Sequence, residues 1–262
     1  MNAIPLRHDD DVIYPESDGQ PMGETELHVD EIFYLIQAFR KRFEAAADVY
    51  VIGNLFFYYQ RGNPSAVLCP DLMVVRGVAK ERRRIFKLWE EGAAPCLVVE
   101  VTSASTWRED LGRKKACYER LGVAEYFLYD PLGEALSSPL QGFRLEDGSY
   151  RPIAREADGS LVSRTTGVTL RLEGERLRLV ESATGRPLQR IDELDADLEV
   201  AREVARRERA ARQAAEDAAA REAAARRALE EEVARLRGEL ERPTSSPTST
   251  PARQRRRSSP TR

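Results

Sequence analysis

Apolar residues recur with a helical period from Val29 to Phe43: Val29, Ile32, Phe33, Ile36, Phe39 and Phe43 share one face, and Thr25 stands as N-cap. The pattern predicts an amphipathic first helix. Next come two β-branched and aromatic runs, VYVIGNLFFYYQ and AVLCPDLMVV, joined by a Gly-Asn-Pro turn. They predict an antiparallel hairpin. PCLVVEVT, near residue 100, and EYFLYDP, near residue 127, are short continuous apolar runs of the kind buried on both faces of a sheet. Between them Thr106 and Glu109 match a capping box and Gly122 a C-terminal stop, predicting a helix from about 107 to 121. Strand, helix, strand at this spacing is a right-handed crossover with parallel strands. Asp147-Gly148 and Glu173-Gly174 predict two later hairpins.

After residue 190 the pattern changes. From Ile191 to Arg242 the chain is dominated by Ala, Arg and Glu, with no Pro and no Gly before Gly238; from Pro243 it is almost only Pro, Ser, Thr and Arg. The expected organisation is a globular domain over 1–190, a long helix over 191–242 and a disordered basic tail over 243–262. Ile191, Leu194, Leu198, Ala201 and Ala205 step by three and four, as do Leu229, Val233, Leu236 and Leu240. The stretch between them is too rich in Ala and Arg to hold the heptad. A helix with coiled-coil ends, serving as a homo-oligomerisation arm, and a solvated single helix kept by Ala propensity and Glu/Arg pairs both fit this pattern.

Composition narrows the function. Net charge is −3, which gives no global field for nucleic acid. Divided by zone, the charge is −4 on the globular part, −4 on the helix and +5 on the tail. Three cysteines without C-x-x-C spacing argue against a disulfide framework or a structural zinc site and fit a reducing cytoplasm. No apolar run is long enough to span a membrane, and the acidic N-terminal stretch is unlike a signal peptide.

Two acids interrupt buried runs, Asp71 in LCPDLMVV and Glu100 in CLVVEVTS. A carboxylate there costs several kcal/mol unless it is paired, neutralised or metal-bound. On neighbouring strands the two can converge on a hard divalent cation. In the crossover helix Leu111, Lys114, Tyr118 and Leu121 form one stripe, with Asp110 and Cys117 on its flank, so Lys114 is expected to face inward. A structural ion-pair network, with Glu100 and Lys114 satisfying each other, is the bland alternative.

Pro70-Asp71, LVVEVTSAST at 97–106 and DLGRKKACYERLGVAEYFLYDP at 110–131, with YPESDGQPMGETELH upstream, resemble the Uma2 (DUF820) endonuclease family of the PD-(D/E)XK superfamily. The resemblance implies an α/β fold, a mixed sheet flanked by helices of restriction-endonuclease type, and a Mg²⁺- or Mn²⁺-dependent enzyme cleaving DNA. It implies Asp71 and Glu100 as metal ligands. The motif's lysine position holds Thr102, and Lys114 on the following helix takes that role. Glu24, His28 and Asp110 are possible auxiliary groups; for Glu26 and Glu31 a helix-dipole role is the expectation, and for His28 the bland reading is a surface histidine.

Overall fold

The structure is a computed structural model that describes residues 12–17 and 25–241. It divides into two compact units, 1–195 and 196–262. The expected tail over 243–262 lies outside the described residues.

In the first unit, helix α1 (Glu26–Arg42) starts as its cap predicts, with the His28 amide donating to Thr25 Oγ1 at 3.3 Å. A six-stranded mixed sheet follows in the order β1 (Val49–Ile52), β4 (Leu72–Arg76), β6 (Leu97–Val101), β7 (Glu125–Tyr129), β8 (Leu140–Glu146), β9 (Ser149–Pro152). Only β6 and β7 are parallel, as the crossover requires; the other pairs are antiparallel. Alternation along the strands separates two cores. Val49, Val51, Val74 and Val99 pack with Leu35 and Phe39 of α1 and with a three-stranded sheet of β10 (Leu161–Ser163), β11 (Val168–Glu173) and β12 (Arg176–Glu181). Tyr50, Met73, Val98 and Tyr126 point the other way, onto Tyr118 and Cys117 of the crossover and onto Phe57 and Phe86.

Three expectations change. The first hairpin is cut in two: β1 pairs with β4, while β2 (Phe57–Tyr58) and β3 (Val67–Leu68) pair in a separate small sheet with β5 (Phe86–Lys87). The break falls at Gly53, where a Cβ would stand 2.0 Å from the Asp71 carbonyl, and at Asn54, which has φ 51°. Helix α1 buries His28, Glu31, Ile32, Leu35 and Phe39, while Phe33 is 57% exposed, so the inward stripe is turned from the one drawn through Phe33. The capping box does not form. Thr106 has α-region backbone and caps no helix amide; its hydroxyl accepts from the Ser103 amide. The crossover begins as α3 (Trp107–Glu109), widens into a π-helical turn over Asp110–Lys114 and continues as α4 (Lys115–Arg120). Between β5 and β6 the charged segment carries one turn, α2 (Leu88–Glu91).

Helix α5 (Ile191–Leu240) is one uninterrupted run of 50 residues, with no buried residue. At 1.5 Å per residue it is about 75 Å long. Pairs such as Arg212–Glu216 and Arg226–Glu230 at i, i+4 support it. No helix among the described residues is long and apolar enough to cross a membrane.

Candidate active site

Backbone register brings the two acids together. Leu72 pairs with Val99, so Asp71, one residue earlier, stands beside Glu100 at the open end of the β4–β6 ladder. The Val101 amide donates to Asp71 Oδ2 at 2.8 Å, and the Asp71 amide to Glu100 Oε2 at 3.4 Å. Glu100 is fully buried on the strand face that packs against the crossover. From that helix Tyr118 donates its hydroxyl to Glu100 Oε1 at 2.8 Å. Lys114, one turn earlier, puts Nζ 3.1 Å from Glu100 Oε2 and 2.9 Å from Asp110 Oδ1. Thus Asp110, Lys114 and Tyr118, at i, i+4 and i+8, form a column over Glu100. The π turn lies within this column and is braced by Tyr126, whose hydroxyl donates to the Asp110 carbonyl at 2.9 Å. Single π turns inside helices recur at functional sites.

The charges do not balance. Three carboxylates, Asp71, Glu100 and Asp110, surround one ammonium. Burial pushes Asp71 up to about 6 and Glu100 up to about 8, against the pull of Lys114. Burial alone would depress Lys114; Glu100, Asp110 and Asp71 outweigh it and hold the ammonium charged well above its usual range. Burial and the neighbouring Glu100 also raise Tyr118 far above the ordinary phenol, so it stays a donor.

Two buried oxygens point to a missing partner. Asp110 Oδ1 meets Lys114 as an ion pair without hydrogen-bond alignment, and Thr102 Oγ1, two residues beyond Glu100 on the same strand face, has no hydrogen bond. Such orphans accompany unplaced water or ions. Among the described residues no set of three or more His, Cys, Asp or Glu forms a closed metal cage. The donor set is instead two adjacent carboxylates with surplus negative charge, which suits Mg²⁺ or Mn²⁺, cations that take few protein oxygens and keep their waters.

The other sequence candidates are dispersed. Glu24 lies outside the described residues. Glu31 is no cap acid: it is buried and held by Arg190 Nη2 at 2.8 and 2.9 Å, and the Arg190 guanidinium lies over the ring of Tyr34. His28 is buried on the same face of α1, not on the surface. Of the described members of the auxiliary set, only Asp110 joins the cluster. Tyr118 was legible as an inward residue, but its hydrogen bond to Glu100 was not. A surface groove of about 510 Å³ lies elsewhere, between Arg40 on α1, the β1 edge and the Lys80–Arg83 loop; no cluster residue lines it.

A mixed α/β sheet with a carboxylate–lysine cluster at its centre defines the class. Residues 3–175 match the Uma2 family, described as "Putative restriction endonuclease", and this chain belongs to that family. Among solved structures it is similar to a "putative nuclease belonging to DUF820" from Anabaena variabilis ATCC 29413, at 14% identity over 58% of this chain and 81% of that one, with a TM-score of 0.42. No curated protein matches the chain.

Proposed function

We propose that this chain is a metal-dependent endonuclease that hydrolyses DNA phosphodiester bonds, with Asp71 and Glu100 holding Mg²⁺ or Mn²⁺ and Lys114 as the catalytic lysine. The observation that carries this reading is the surplus of negative charge around Lys114: a purely structural network would match its charges, whereas three carboxylates on one ammonium, Glu100 and Asp110 buried and Asp71 half-buried, leave room for a divalent cation. Bound there, the cation would polarise the scissile phosphate and acidify a water.

The chain's own groups have separate tasks. Tyr118 fixes one Glu100 oxygen and leaves the other facing the site. The Val101 amide does the same for Asp71. Lys114, protonated throughout the working pH range, aims its ammonium at the place where an attacking oxygen and the phosphate charge would meet, and stabilises that charge. Asp110 shares the ammonium and restrains its swing. The polyanion finds cations that the net charge hides: Arg40 and Lys80 in the β1-edge groove contact backbone carbonyls and, among the described residues, no carboxylate. In the same reading residues 1–190 form the catalytic domain, and residues 191–242 make the chain a homo-oligomer.

The test is nicking of supercoiled plasmid with Mg²⁺ or Mn²⁺ by wild type and by Asp71→Ala, Glu100→Ala and Lys114→Ala. Cleavage by wild type alone is the expected result. Undiminished nicking by Asp71→Ala would overturn the assignment.

A further inference from the structure

The two apolar seams of α5 share one heptad phase. Counting by three and four from Ala205 leads through Glu208, Arg212, Ala215, Ala219, Glu222 and Arg226 to Leu229 without a skip. The middle stretch, which composition alone would set aside, is therefore part of the same stripe. It places four charged residues in a seam whose ends are Leu, Ile and Val. Leu229 is 67% exposed and Leu240 85% exposed, so none of the described residues of the chain covers this face.

The order of residues along the seam specifies what does. We propose that α5 pairs with α5 of a second copy of this chain as an antiparallel two-stranded coiled coil centred on the Ala215 and Ala219 layers. This rests on the reading of residues 191–242 as an oligomerisation arm and adds its orientation and register. With Ala215 facing Ala219 of the partner subunit, every charged seam residue meets its opposite: Glu208 faces Arg226 of the partner subunit, and Arg212 faces Glu222 of the partner subunit. The same register sets Leu194 against Leu240 of the partner subunit and Leu198 against Leu236 of the partner subunit. Ala201 meets Val233 of the partner subunit and Ala205 meets Leu229 of the partner subunit, so small residues oppose larger ones and the layers interdigitate.

Competing arrangements fail on charge. A parallel in-register pair stacks Glu208, Arg212, Glu222 and Arg226 each on its own copy, four like-charged layers in the seam. Sliding the antiparallel pair by one heptad in either direction leaves all four charges opposite Ala, Val or Leu. The flanks are mixed but net favourable in the chosen register: Asp195 lies near Arg237 of the partner subunit and Arg202 near Glu230 of the partner subunit, each pair occurring twice, against Asp197 near Glu239 of the partner subunit, also twice, and Glu216 facing Glu216 of the partner subunit once at the two-fold. The overlap from Leu194 to Leu240 forms a rod of about 70 Å at 1.5 Å per residue. Ile191 of each chain lies at opposite ends of it.

The experiment is a charge reversal within one chain, read as mass by sedimentation equilibrium on the full-length protein. Wild type is expected at twice the 29.6 kDa chain mass. Glu208→Arg and Arg226→Glu singly each set like charges face to face and weaken the dimer by at least about 10-fold. The double variant restores opposite pairing only in the antiparallel register and recovers the wild-type dissociation constant. Arg212→Glu and Glu222→Arg repeat the test at an independent layer, and far-UV circular dichroism verifies that the helix persists. A monomeric wild type overturns both the arm and its register. A dimer that the single reversals leave intact, or that the double variant does not recover, overturns the antiparallel register while self-association stands.

Discussion

Adjacent strands of the central sheet each carry a glutamate with no solvent exposure, Glu100 on β6 and Glu125 on β7, and the fold treats them in opposite ways. Glu125 accepts from Arg144 Nε, the Ser163 and Thr165 hydroxyls and the Arg164 and Thr165 amides. Despite burial, those bonds hold its carboxyl below the usual range. Glu100 accepts from one tyrosine and, at 3.4 Å, from the Asp71 amide, shares one lysine with two other acids, and is raised by burial to about 8. Burial alone therefore does not mark a functional carboxylate. The mark is buried charge left over after the available donors have been counted.

The largest expected separation is in stability. Glu125→Ala strands the Arg144 guanidinium and the donors of residues 163–165, and should cost about 3–5 kcal/mol in urea denaturation. Glu100→Gln at pH 8, by contrast, removes a charge that the fold penalises while keeping an acceptor for Tyr118, and should leave stability equal or higher. Equal losses for the two variants would erase the distinction. Activity should divide them the other way. Glu100→Gln is expected to lower plasmid cleavage by about 100- to 1000-fold, while Glu125→Gln leaves the rate per folded molecule unchanged.

Metal comes next. Mn²⁺ at about 100 times its dissociation constant should stabilise wild type by about 2.7 kcal/mol, and the gain should vanish in Glu100→Gln and in Asp71→Asn but persist in Ser163→Ala. A gain that survives in Glu100→Gln would place the ion elsewhere.

How far the sequence showed these two sites is instructive. Asp71, Glu100 and Lys114 were legible because a charge within an apolar strand, or on the inward stripe of a helix, breaks a local period. Glu125 begins an apolar run and breaks no period, and its partners are 19 to 40 residues away in sequence, so nothing local announced it. The same limit applies to Glu31. Its position in the first turn of α1 suggested a dipole role, and only the return of the chain at Arg190 shows that it is a buried ion-pair partner. The crossover and its parallel strands followed from runs and spacing. The π turn did not, since a widened turn depends on the tertiary bond from Tyr126 to the Asp110 carbonyl rather than on composition.

A pH titration of stability in chelator should separate the two glutamates by sign. Asp71, near 6, and Glu100, near 8, have folded values above their unfolded ones, so the folded state holds extra protons between about pH 4 and 8. Their contribution is fullest below pH 4 and lost as pH rises to 8. Lys114 is protonated in both states across that window and adds no slope. The expected difference between wild type and Glu100→Gln is about 3.5 kcal/mol from pH 5 to 8, wild type falling more steeply. Glu125, with its value lowered, gives the reverse: its contribution is present above pH 4.5 and is lost in acid. A wild-type slope that matches Glu100→Gln would remove the case for a buried, charge-strained Glu100.

The smallest effect compares two hydroxyls. The Ser163 hydroxyl donates to Glu125, whereas the Thr102 hydroxyl, on the strand face that carries Glu100, has no hydrogen bond among the described residues. Ser163→Ala removes a hydrogen bond to a carboxylate and should cost about 1.5 kcal/mol. Thr102→Val replaces an unsatisfied buried hydroxyl with a methyl of the same shape, so the apo protein should change by less than about 0.5 kcal/mol or gain slightly, because no bond is lost and a desolvated oxygen is removed. If that oxygen serves a water or ion brought in by the metal, Thr102→Val should weaken Mn²⁺ binding measured by calorimetry while leaving apo stability intact. A loss of apo stability as large as that of Ser163→Ala would show that Thr102 is bonded in the folded protein, and the contrast between the two strands would then rest on the carboxylates alone.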